Sequence, residues 1–214
     1  SSDPPAKVSG LMLARSGAGL NAAWTLLTGA NTGTTEPITY LVAYREKYLD
    51  DAWSDAIVTE TSASATSLLA TSLNPGTVYQ FRVAGKNSEG VGPWSDVKEL
   101  STASAPTAAP TLAVTPLLGS IKLTFSLSSS ASGNSPITGY VVRYRQDPAD
   151  VWTQVSLGVV STYTLTGLSN LTDYQVSVAA KNAIGEGPAA EAAARTLGLA
   201  GAPSTVKATR GDKA

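Results

Sequence analysis

The sequence predicts an all-β protein: two seven-stranded Greek-key sandwiches in tandem, followed by the first strand of a third. Three observations carry that expectation. The chain repeats itself at an interval near 100 residues. Within each repeat, apolar residues alternate with polar ones over short runs, the period-two mark of half-buried strands. Gly and Pro punctuate the gaps, and no stretch carries a helical apolar stripe.

The repeat is legible residue by residue. Pro37-Ile38-Thr39-Tyr40-Leu41-Val42-Ala43-Tyr44-Arg45 recurs as Pro136-Ile137-Thr138-Gly139-Tyr140-Val141-Val142-Arg143-Tyr144-Arg145, with one residue inserted. Trp53 recurs as Trp152, and Leu73-Asn74-Pro75-Gly76-Thr77-Val78-Tyr79 as Leu168-Ser169-Asn170-Leu171-Thr172-Asp173-Tyr174. Lys86-Asn87-Ser88-Glu89-Gly90-Val91-Gly92-Pro93 recurs as Lys181-Asn182-Ala183-Ile184-Gly185-Glu186-Gly187-Pro188. A period this long is a whole small domain, not a solenoid turn. The offset slips between Trp152 and Leu168, where a surface loop absorbs a change of length.

Each strand follows from its own pattern. In the first unit the strands are expected at 6–13, 19–26, 38–46, 52–59, 66–72, 77–86 and 94–101. Leu20, Ala22 and Trp24 share a face; so do Tyr40, Val42 and Tyr44, and Tyr79, Phe81 and Val83. In the second unit they are expected at 111–117, 120–127, 137–145, 151–158, 161–167, 172–181 and 188–196. Ile121, Leu123 and Phe125 share a face there, as do Tyr174, Val176 and Val178. The Ala-rich run 189–194 has helical propensity, but its counterpart reads as a strand, so both are assigned as strands. The expected division is a domain at 1–102, a small-residue and Pro-rich linker at 103–110, a domain at 111–197, and a linker with the start of a third domain at 198–214.

Composition closes several functional classes. The 214 residues contain no Cys and no His, with 15 Lys plus Arg against 16 Asp plus Glu. Disulfides, His- or Cys-ligated metals, and Cys or His catalysis are excluded for want of side chains. The balanced charge gives no general attraction to nucleic acid or anionic lipid. No apolar run approaches a membrane span, so no membrane insertion is expected within the chain. The opening Ser1-Ser2-Asp3-Pro4-Pro5 lacks the pattern of a signal peptide and reads as the interior of a longer protein.

Both units closely resemble fibronectin type III domains. The resemblance rests on an early Pro (Pro5, Pro110) and an aromatic on the second strand (Trp24, Phe125). It continues through the Pro-Ile-Thr…Tyr-x-Val-x-Tyr-Arg strand, the Trp that follows (Trp53, Trp152), the Leu-x-Pro-x-Thr-x-Tyr segment and the Asn-x-x-Gly-x-Gly-Pro loop. These features span residues 4–196 in the family's order. The resemblance implies an immunoglobulin-like topology with a tyrosine corner at Tyr79 and Tyr174. The chain departs from the pattern at Phe125, where Trp is usual, at Asn170 in place of Pro, and at Ala70, where the second unit has Leu165. Residues 202–214 resemble the opening of a third such unit, with Pro203 matched to Pro110.

Candidate sites follow. Partner binding is expected at the loops 28–36, 87–92, 128–135 and 182–187, through Asn87, Ser88, Glu89, Val91, Trp94, Ala183, Ile184 and Glu186, or at an open sheet edge. Arg210-Gly211-Asp212 is the tripeptide that integrin ligands of this family present. It falls after an expected first strand instead of in the family's adhesive loop, so a plain turn is the preferred reading. Asn170-Leu171-Thr172 is an N-glycosylation sequon at an exposed corner. Asp50, Asp51 and Asp55, with Glu46, form an acidic hairpin tip that lacks a calcium-loop ladder. Trp94 is expected to cap the sandwich edge. No catalytic, cofactor or metal residue is assigned, and Trp24, Phe125, Tyr79 and Tyr174 are structural.

The expected function is a non-catalytic spacer and protein–protein interaction or adhesion segment of a larger extracellular or cell-surface protein. Its partners are proteins and neighbouring domains of the same chain. The alternatives are an intracellular cytoskeletal scaffold array and an accessory module of a secreted carbohydrate-active enzyme.

Overall fold

The computed structural model describes residues 2–48, 52–146 and 151–201. The first unit contains β1 (Met12–Ser16), β2 (Gly19–Ala23), β3 (Thr39–Glu46), β4 (Ile57–Glu60), β5 (Ser67–Ala70), β6 (Val78–Asn87), β7 (Gly90–Val91) and β8 (Lys98–Ser101). The second contains β9 (Thr111–Leu117), β10 (Ser120–Ser126), β11 (Ile137–Gln146), β12 (Thr153–Leu157), β13 (Thr162–Leu165), β14 (Asp173–Asn182) and β15 (Glu186–Arg195). All pairings between these strands are antiparallel.

Each unit packs two sheets face to face. In the first, β1-β2-β5 faces β4-β3-β6, and β7 and β8 both pair with β6. In the second, β9-β10-β13 faces β12-β11-β14-β15. The Ala-rich run lies in β15, where the ladder to β14 overrides helical propensity. The strand of a third unit expected within 202–214 lies outside the described residues.

Several strand bounds differ from expectation for identifiable reasons. The first strand starts at Met12 instead of near residue 6. Pro4 and Pro5 have no N–H to give a ladder, and Gly10 turns the chain at φ +68°. Ala6 N–H still donates to Asn31 O at 2.9 Å and Thr25 N–H to Ser9 O at 3.0 Å, so this segment is held without a regular ladder. β4 begins at Ile57, after a turn closed by Ala56 N–H on Trp53 O. The last strand of the first unit is split into β7 and β8. Between them Ser95 replaces the ladder: its N–H donates to Val83 O at 2.8 Å, and its Oγ accepts from Val83 N–H at 2.9 Å. The residue inserted in the second repeat is absorbed by a bulge between Ile137 and Gly139. A Cβ at Gly139 would lie 2.1 Å from Leu157 O, so only glycine fits there.

The cores are two apolar clusters, one per unit. Leu20, Tyr40, Val42, Phe81 and Val83 anchor the first; Ile121, Leu123, Phe125, Val142, Val176 and Val178 anchor the second. Trp24 packs on Tyr40 with ring centroids 5.4 Å apart, and Phe125 on Tyr140 at 4.8 Å. Phe125 thus fills the place that Trp24 holds in the first unit. Ala70 and Leu165 are both buried at matching ladder positions beside Leu20 and Ile121.

The tyrosine corners close in both units. Asn74 N–H donates to the Tyr79 hydroxyl at 2.9 Å, and Ser169 N–H to that of Tyr174 at 3.0 Å. The two phenols differ in charge environment. Burial raises the Tyr79 pKa, and the neighbouring Glu46 carboxylate raises it further. Burial also acts upward on Tyr174, but hydrogen bonds from Ser169 N–H and the Gln146 amide outweigh it and bring its pKa below the usual tyrosine value. We expect Tyr174 to ionise before Tyr79 in a spectrophotometric titration of Tyr→Phe variants; the reverse order contradicts this assignment. Removing either hydroxyl is expected to destabilise its own unit by about 1 kcal/mol in chemical denaturation.

Candidate interaction surfaces

Two of the four loops expected to bind partners, 87–92 and 182–187, are each organised by an asparagine that is used internally. Asn87 Nδ2 donates to Asp3 O at 2.7 Å and Thr32 O at 2.9 Å, while its Oδ1 accepts from Glu89 N–H and Gly90 N–H. Asn182 repeats the arrangement. Its Nδ2 donates to Ser104 O at 2.7 Å and Ser132 O at 2.8 Å, and its Oδ1 accepts from Ile184 N–H and Gly185 N–H. Both amide protons and the amide oxygen are engaged in each case. One side chain therefore ties three segments: the unit's opening residues, the loop after its second strand, and the hairpin it sits on.

The glycines of this loop serve close approach. A Cβ at Gly92 would stand 2.1 Å from Pro5 O, and one at Gly187 2.6 Å from Pro106 O. Pro5 therefore corresponds to Pro106 and not to Pro110, one turn-like step earlier than the sequence match suggests. The match of Pro203 lies outside the described residues.

Ser88, Glu89, Val91 and Ala183 project into solvent at the hairpin tips, while Ile184 is half-buried. Glu186 is exposed but held. Arg143 grips it with both terminal guanidinium nitrogens, Nη2 at 2.9 Å from Oε2. This hydrogen bonding by Arg143 holds the Glu186 carboxyl below the usual glutamate pKa and raises that of Arg143.

Trp94 does more than cap an edge. The Arg82 guanidinium lies between two indoles, 4.4 Å from the Trp94 ring centroid and 4.1 Å from that of Trp53. Arg45 covers Trp53 at 4.6 Å. Desolvation, and then the nearby Arg45 charge, lower the Arg82 pKa. The alternation of β3 and β6 carries the signal: Arg45 and Arg82 fall on the outward face because Tyr44, Phe81 and Val83 face the core. Among the described residues, the second unit keeps Arg145 over Trp152, at 4.3 Å, as its one such contact. Ser177 stands where Arg82 does, and Ala189 where Trp94 does.

The remaining candidates are separate from these loops. Asn170 is exposed at the corner before β14, and Thr172 Oγ1 donates to its carbonyl at 2.9 Å. Glu46 accepts from the Tyr79 hydroxyl and the Asn74 amide, a corner role instead of a cation site. Asp55 lies in a turn, whereas Asp50 and Asp51 fall outside the described residues, as do Arg210, Gly211 and Asp212. Among the described residues, no group of three or more Asp, Glu, His or Cys is placed to hold a metal ion.

Asn182→Ala is expected to destabilise the second unit by about 2–3 kcal/mol, because four hydrogen bonds end on one part-buried side chain. A loss below about 0.5 kcal/mol by chemical denaturation contradicts the clamp role. The Glu186 contribution is present above the unfolded carboxyl pKa and fades as pH falls through the lower folded value. Being partly solvent-screened, it amounts to about 0.5 kcal/mol. Glu186→Gln is expected to remove this part of the acid-induced loss of stability, read as the pH dependence of the melting temperature.

Comparison with known proteins agrees with the geometry. The fibronectin type III domain family matches residues 3–100 and 104–196. Neogenin of Rattus norvegicus is 32% identical over 165 residues, covering 75% of this chain and 12% of that protein. Contactin-5 of Mus musculus is 31% identical, covering 73% of this chain and 15% of that one. Receptor-type tyrosine-protein phosphatase F of Homo sapiens is 33% identical, covering 54% and 6% respectively. The chain thus spans only a small part of the curated relatives it matches. Among solved structures, the FN1–FN3 domains of chicken CNTN1 align over 92% of this chain and 69% of that one, at 22% identity and a TM-score of 0.43. Two repeats with tyrosine corners and asparagine-clamped hairpins, and the family match over residues 3–100 and 104–196, make the chain a member of the fibronectin type III family.

Proposed function

We propose that the chain is a non-catalytic spacer and interaction segment of a larger extracellular or cell-surface protein, holding neighbouring units apart and presenting their loops to protein partners. The observation that carries this reading is the joint between the units. Thr102 Oγ1 donates to Asn74 O at 2.6 Å, and Gly76 N–H to Ala103 O at 3.1 Å, both within the first unit. The next residue belongs to the second: Ser104 N–H donates to Gly133 O at 2.8 Å, and Asn182 holds Ser104 O. Thr107 N–H then donates to Ala131 O at 2.9 Å. A single peptide bond separates the last residue held by one sandwich from the first held by the other. Such a joint transmits position instead of allowing free rotation of a tether.

The chemistry of the surface supports the same reading. The paired Lys and Arg residues lie in scattered salt bridges with acidic partners, such as Lys47–Glu99 and Lys86–Glu60, not in a basic stripe. The relatives supply the context: one is named a receptor-type phosphatase, and this chain corresponds to a small fraction of it.

The reading is tested by small-angle X-ray scattering of the chain. Two sandwiches of about 30 Å joined end to end give an expected maximum dimension of about 65–75 Å and a rod-like distance distribution. A compact distribution contradicts the spacer.

A further inference from the structure

The far end of the second unit carries an apolar surface that the first unit lacks. Leu117, Leu118, Leu171, Leu197 and Leu199 are between 38% and 78% exposed. They belong together. Leu197 N–H donates to Leu117 O at 3.0 Å, Leu118 and Leu197 form a bridge, and the Leu171 side chain lies against Gly198, where a Cβ would be only 2.7 Å from it. The repeat register identifies the matching positions in the first unit. Thr196 bonds Ser169 O and Thr172 as Thr102 bonds Asn74 O and Thr77. Leu197 and Leu199 therefore correspond to Ala103 and Ala105, Leu171 to Gly76, and Leu117 and Leu118 to Ser16 and Gly17. Five small residues in one unit are five leucines in the other.

At the first joint, this end is where the chain's continuation sits. A Cβ at Gly76 would lie 3.3 Å from Ser104 Cβ, the first residue held by the next sandwich. Scattered single exposed leucines need no explanation, but five exposed leucines gathered on neighbouring segments at one end of a sandwich concentrate apolar surface there. Water leaves that patch favourably when it is covered. The chain leaves the patch at Gly201, and Leu199 stands on the exit path, so a segment that follows is tethered at high effective concentration. That segment has Pro203, Val206 and Ala208 as its apolar positions, the latter two alternating as a strand's do.

We infer that the leucine end is a docking surface for the chain's own continuation, residues 202–214, with which a further unit of the array opens. The larger side chains give this joint more apolar contact than the first. The inference rests on the array reading but can fail separately, because the scattering rod depends only on the first joint.

The experiment uses the 214-residue chain. Trypsin cleavage after Lys207 and Arg210 is followed by mass spectrometry in the wild type and in the double variant L118S/L199S, whose sites are exposed and outside both cores. A docked tail is cut about fivefold more slowly in the wild type, since cleavage follows the open population. Hydrogen exchange in β14 is expected to be the same in both, showing that the second unit is intact. A chain ending at Gly201 is expected to bind more of an apolar fluorescent dye than the full chain. Equal cleavage rates overturn the inference. So does concentration-dependent dimerisation that the double variant abolishes, because a second copy would then be the occupant.

Discussion

The structure depends on one side chain used twice. Asn87 and Asn182 each spend both amide protons on the backbone of segments far away in sequence, and spend the amide oxygen on their own hairpin. A backbone carbonyl left without a donor in such a place would carry the desolvation cost of an unpaired polar group. Asparagine solves this at three segments at once. In the second unit the same clamp holds Ser104, so the feature that shapes a loop also fixes the joint to the preceding sandwich. The absence of cysteine makes this arrangement more important: no disulfide ties the opening segment to the core.

The two units solve shared problems with different side chains. The corner carboxylate Glu46 becomes Gln146: burial pushes both corner tyrosines up, Glu46 raises Tyr79 further, and hydrogen bonds from Ser169 N–H and the Gln146 amide bring Tyr174 down. The Trp53–Arg82–Trp94 stack of the first unit shrinks to Arg145 over Trp152 in the second, and there the outward face instead holds the Arg143–Glu186 pair. Trp24 with Tyr40 becomes Phe125 with Tyr140. What stays constant is the pattern of backbone closure, which is set by turns and glycines more than by any surface pair.

Much of this was legible in the sequence, because period two and the long repeat report directly on burial and on unit length. Tyr79 and Tyr174 announce their corners by spacing. The strand starts at Met12 and Ile57 were less legible: loss of a ladder at Pro5 and a turn at Trp53 depend on which groups find partners across the sandwich. Asn87 and Asn182 illustrate the same limit for the site. The loop position of Asn87 suggests partner contact; its bonds to Asp3 and Thr32, and those of Asn182 to Ser104 and Ser132, are not legible in sequence because they arise only when distant segments meet. The Arg82 sandwich was hidden too, since Trp53 and Trp94 lie far from it in sequence and meet it only across paired strands.

Between the two sandwiches Ala103 is held by the first and Ser104 by the second. Backbone 15N relaxation across residues 102–107 tests this most directly. Order parameters of about 0.85 are expected through the joint, equal to those of the flanking strands, with one common anisotropic tumbling for both units. Values below about 0.6 at Ala103–Ala105, with each unit tumbling independently, would contradict it.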